Sequence, residues 1–109
     1  MSIEDRLKAF EQKFSHDEQL KFKVEARTSK LVGLWAAEQM GYSGVEADAY
    51  AKVVVACNLD EPGFDDVKRK VQADFAEKKL DISEHLILSV IEKKLEQATK
   101  QIEDEAKGA

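Results

Sequence analysis

Ile87, Ile91, Leu95, Ala98 and Ile102 follow one another at gaps of four, four, three and four. An α-helix closes a turn about every 3.6 residues, so this spacing lines one helical face with apolar side chains, whereas a strand would show strict alternation. Ser83 stands just ahead, a residue type whose hydroxyl accepts a backbone N–H at a helix start. A helix with one apolar face cannot hide it alone, so the rest of the chain has to supply helices of matching pattern.

It does. Phe64, Val67, Val71 and Phe75 repeat the spacing, with Asp65 and Asp66 in the first turn against the positive end of the helix dipole. Leu80, Asp81 and Ile82 close that helix. Upstream, Asn58 to Gly63 contains the single proline and a glycine and reads as a loop. Before it, Ser43 with Glu46 forms a capping box, and Ala47, Tyr50, Ala51 and Val54 mark an inner face. Val53, Val54 and Val55 favour strand locally, but one triplet among alanine-rich turns has no partner strand, so packing is expected to keep it helical.

The stretch from Lys30 to Gly41 holds the only tryptophan, Trp35. It reads as the buried end of a long helix, in which Leu20, Val24, Leu31, Leu34 and Trp35 form the core stripe. Gly33, Ala36 and Ala37 would admit another backbone closely, and Gly41 would end the helix in the left-handed conformation. Helices of these lengths joined by short loops predict an all-α fold, a four-helix antiparallel bundle. Beyond Ile102 the charged tail is expected to fray.

Ahead of this body, Ser2 can cap a short helix in which Ile3, Leu7, Phe10 and Phe14 recur at gaps of four, three and four. Lys8 and Lys13 lie on its polar side. The stripe falls out of phase after Phe14, where Asp17 and Glu18 take the next apolar positions. Ser15 and Glu18 make another capping box, so Ser15 to Asp17 is a hinge between a flexible amphipathic arm, residues 1–16, and a body, residues 17–109, or a bend in one long helix. His16, without a second histidine or a cysteine nearby, reads as a solvent or capping residue. The residues alone leave two destinations for the arm's stripe, its own bundle or a groove on a partner.

The chain has 109 residues, 43% hydrophobic and 36% charged, with a net charge of −5. That is one modest core, and an acidic protein is a poor partner for nucleic acid, whose binding draws on cationic side chains. No apolar run approaches the roughly 20 residues of a membrane span, and the acidic N-terminus lacks the pattern of a secretory signal, so a cytoplasmic protein without direct membrane insertion is expected. Cys57 is the sole cysteine, expected as a small buried thiol.

There is no glycine-rich phosphate loop, cysteine pair or nucleophile elbow. Ser83, Glu84 and His85 are consecutive on a helix start and point in different directions, so they cannot converge as a triad. No catalytic site, metal or cofactor is expected.

Phe10 to Glu18, Phe22 to Arg27, Lys30 to Glu38 with its Gly-Leu-Trp-Ala-Ala-Glu string, and Ala49 to Lys52 resemble the zeta-subunit family of alphaproteobacterial ATP synthases. The likeness spans nearly the whole chain and is most specific from Phe10 to Lys52. The resemblance implies a four-helix bundle that inhibits ATP hydrolysis by the catalytic head of the ATP synthase, formed by alpha and beta subunits, with the N-terminal segment as inhibitory element. It makes Ile3, Leu7, Phe10 and Phe14, with Lys8 and Lys13, the partner-binding residues, and it places the chain at the membrane-bound enzyme through that partner. Two other classes stand beside it. One is a small ATP- or ADP-sensing module with Arg27, Lys30 or Arg69 near the phosphates; the other is a structural scaffold.

Overall fold

The computed structural model describes Ile3, Asp5, residues 18–60 and residues 63–108. Four helices follow in order among them: α1 Glu18–Gln39, α2 Gly44–Asp60, α3 Asp65–Glu77 and α4 Glu84–Gly108. No strand occurs among the described residues. α1 is the central element, packed chiefly on α2 and α4, and α3 completes the bundle against α2.

The two most regular stripes are buried as their spacing predicts. Ile87, Ile91, Leu95, Ala98 and Ile102 line the inner face of α4, and Phe64, Val67, Val71 and Phe75 that of α3. The Ser83 Oγ accepts the Leu86 N–H at 3.1 Å, closing the N-terminus of α4. α4 extends to Gly108, beyond the last stripe residue Ile102. Along this extension Arg27 on α1 holds Glu105 with both guanidinium nitrogens, at 2.8 and 3.2 Å.

α1 and α3 end in the same backbone motif. At the end of α1 the Tyr42 N–H bonds the Ala37 carbonyl at 2.9 Å and the Gly41 N–H bonds Glu38 at 3.1 Å, with Gly41 at φ 85°. At the end of α3 the Leu80 N–H bonds Phe75 and the Lys79 N–H bonds Ala76, but here a lysine takes the left-handed position at φ 59°. Leu80, one residue on, packs against the core and holds that turn in place.

α1 departs from the expected stripe. Its buried ridge is Val24, Thr28, Val32 and Ala36, while Leu20, Leu31, Leu34 and Trp35 are only half-buried. The reason is the close approach of α2: a Cβ on Gly33 would lie 2.8 Å from the Ala51 Cα. Small residues occupy that seam and the large ones are displaced to its flanks, where Trp35 meets Phe75 edge to face at 5.6 Å. Thr28 tolerates full burial because its hydroxyl donates to the Val24 carbonyl one turn back, at 2.6 Å.

The valine triplet is helical, with Val54 fully buried against α1 near Gly33. Cys57 is half-buried, not buried, because the inner ridge of α2 passes through Ala51, Val54 and Asn58 and leaves it on the flank. Asn58 takes the inner place and donates its amide to the Gly63 carbonyl, stapling the α2–α3 connection.

Candidate partner-binding site

Of the arm, Ile3 and Asp5 are described, and both are helical. Ile3 is half-buried and rests against the hydrophobic core, so the first apolar position of the stripe touches the body. Leu7, Lys8, Phe10, Lys13 and Phe14 lie outside the described residues, as does the Ser15 to Asp17 hinge with His16.

The three cations considered for nucleotide phosphates are described and are distributed over two helices. Arg27 is engaged across the α1–α4 seam by Gln101 Oε1 at 2.8 Å as well as by Glu105. This guanidinium, hydrogen-bonded to it, holds the Glu105 carboxyl below its ordinary range. A phosphate at Arg27 would have to displace both partners. Arg69 pairs with Asp66 in the first turn of its own helix, and Lys30 is exposed on α1.

A polar cluster that periodicity does not announce lies where the α1–α2 turn meets α3. The Tyr50 hydroxyl donates to Asp74 Oδ2 at 2.7 Å, and the Lys70 Nζ reaches the same oxygen at 2.8 Å. Lys70 also stands 5.6 Å from the Tyr50 ring centre, and Lys78 stands 5.3 Å from that of Tyr42. Burial, then the bond to Asp74, drives the Tyr50 hydroxyl far above its usual range. Lys78 is held above its ordinary value by Tyr42. The Lys70 and Asp74 spacing of one turn is a sequence signal, but only the fold brings Tyr50 to them.

His85 and Glu84 are exposed, and Ser83 serves as the α4 cap, so these three neighbours have separate surroundings. Glu84 pairs with Lys68 of α3 at 2.9 Å. Among the described residues no group of His, Cys, Asp or Glu could hold a metal ion, and no helix is long and apolar enough to cross a membrane.

A family model described as ATPase inhibitor subunit zeta matches residues 1–101. The chain belongs to that family. The match reaches from the arm through most of α4 of this zeta-family chain. A protein solved by solution NMR is 43% identical to the zeta-family chain, over 79% of this chain and 98% of its own, with a TM-score of 0.69. No curated protein matches the zeta-family chain.

Proposed function

We propose that the chain inhibits ATP hydrolysis by the catalytic head of the bacterial ATP synthase by inserting its N-terminal segment, residues 1–16, at an interface between alpha and beta subunits. The bundle remains outside as an anchor. Membership of an inhibitor-subunit family carries this reading, since the matched region begins at residue 1 and so includes the arm. The chain performs no chemistry itself in this scheme; it obstructs the conformational cycle that hydrolysis requires, acting in the cytoplasm on the membrane-bound enzyme.

The stripe of Ile3, Leu7, Phe10 and Phe14 supplies the driving force. Burying each contributes up to roughly 1.5–3 kcal/mol, against roughly 2–5 kcal/mol for ordering a segment on binding, a balance that permits specific docking. Ile3 has a competing resting place on the core of its own body, and its transfer to the partner would couple arm release to docking. The deciding experiment removes residues 1–14 and assays ATP hydrolysis by a purified alphaproteobacterial ATPase. Inhibition should vanish while the bundle stays folded, its unfolding midpoint falling only by what the half-buried Ile3 contact supplies. Wild-type inhibition by the truncated chain would assign the activity to the body instead.

A further inference from the structure

α2 turns Ala51, Val54 and Asn58 to the core, yet its opposite side is apolar as well. With 3.6 residues per turn, Val45, Ala49 and Ala56 fall on one line directly away from those three, with Val53 on one flank of the line and Lys52 on the other. All are exposed, Val45 at 85% and Val53 at 48%. A surface helix ordinarily carries charge along that line, as α4 does with Lys93, Glu96 and Lys100. Between Val45 and Ala56 the outer side of α2 offers Lys52 alone.

The small residues have a register. Ala49 and Ala56 stand seven residues apart, the repeat that keeps side chains on one seam between two packed helices. With methyl groups on the line, another helix can come close, as α1 does on the inner side where Gly33 meets Ala51.

The charges beside the line are self-complementary. Asp48 and Lys52 share the flank away from Val53, both exposed, and neither has an ion-pair partner among the described residues. Consider two α2 helices set antiparallel about a two-fold axis between positions 50 and 51. Val45 of one then lies level with Ala56 of the other, and Ala49 with Lys52. Lys52 comes within about one residue's rise of the opposing Asp48, on the same flank, and the symmetry forms that pair twice.

We propose that the outer face of α2 is a contact surface for a second copy of this chain, the two helices packing antiparallel across Val45, Ala49, Val53 and Ala56, with Lys52 of each copy paired to Asp48 of the other. The stripe is about 17 Å long, so the contact falls short of the roughly 1,200 Å² of a stable complex, and the dimer is weak and reversible. It uses no residue of the arm and stands whether or not the arm inhibits an ATPase.

The test is sedimentation of the full-length chain from about 20 μM to about 1 mM, with methyl NMR spectra over the same range. The average mass should rise by about half from the monomer's 12.3 kDa, and the methyl signals of Val45, Ala49, Val53 and Ala56 should shift with concentration while those of exposed Leu86 stay still. Ala49→Arg keeps a good helix former at an exposed position and should hold the chain monomeric with its unfolding midpoint unchanged. Lys52→Asp sets like charges together and should also abolish the rise, whereas Lys52→Asp combined with Asp48→Lys should restore it. A mass fixed at 12.3 kDa, association that survives Ala49→Arg, or a double variant no better than Lys52→Asp would each overturn the proposal. So would a dimer seen only after residues 1–14 are removed, which would make the arm the occupant, or an always monomeric wild type whose ATPase inhibition Ala49→Arg weakens, which would give the face to the ATPase.

Discussion

Gly33 on α1 and Ala51 on α2 touch backbone to backbone, with room for no side chain between them: a Cβ added to Gly33 meets the Ala51 Cα at 2.8 Å and the Val54 Cβ at 3.2 Å. The obstructing atom is main chain, so it cannot swing aside. Gly33→Ala gains up to about 1 kcal/mol of helix propensity, yet overpacking at such a seam costs about 1–3 kcal/mol, and the clash should win. A urea midpoint above wild type would show that the helices are not seated this closely.

Lys79 occupies the left-handed position that Gly41 fills at the corresponding turn of α1. A side chain there costs about 1–2 kcal/mol, while glycine adds flexibility to the unfolded chain. Lys79→Gly is expected to stabilise the bundle by about 1 kcal/mol. Thermal unfolding of the two chains side by side decides the sign; Lys79→Ala, which keeps the strain, should give no such gain.

Tyr50 keeps its hydroxyl proton because burial and Asp74 both oppose the phenolate. The folded value exceeds the unfolded one, so the bond contributes fully below about pH 10 and is lost as the pH climbs further. Stability should fall above that point more steeply in wild type than in Tyr50→Phe. At neutral pH the same substitution should cost about 1 kcal/mol, since Lys70 still accompanies Asp74. Alkaline unfolding curves of both chains, followed by circular dichroism, provide the comparison.

Phe10 and Phe14 are the largest apolar groups of the arm, and large aromatics dominate interface energetics. Replacing both by alanine should weaken inhibition of the ATPase by at least about a hundredfold, on the order of 2.7 kcal/mol, with little change in the unfolding midpoint. Lys8→Ala with Lys13→Ala should act mainly on the association rate and its salt dependence. Stopped-flow onset of inhibition separates the two. If the phenylalanine variant melts earlier, the stripe belongs to the body.

The body was legible wherever one period decided the outcome. The stripes of α3 and α4, the Ser83 cap and the glycine ending α1 follow from local spacing and backbone sterics, and each stands where the sequence places it. α1 was harder because apolar residues cover more than one of its faces. Periodicity selects Leu31, Leu34 and Trp35 by size, whereas the seam selects Val24, Thr28, Val32 and Ala36 by fit. The arm's amphipathic stripe is a sequence property; its contact at Ile3 is a tertiary one.

What the sequence determines by itself is thus the helical class, the Ser83 cap, the glycine end of α1 and which residues of α3 and α4 seek cover, because these depend on interactions within a few residues. The tertiary structure alone decided how near two axes come and which distant groups meet. Gly33 excludes the larger side chains only because Ala51 lies opposite, and Arg27 finds Glu105 across a separation of 78 residues. Such pairings depend on which helices are neighbours and at what rotation, a choice made by the packing of the whole core rather than by any one stretch of it.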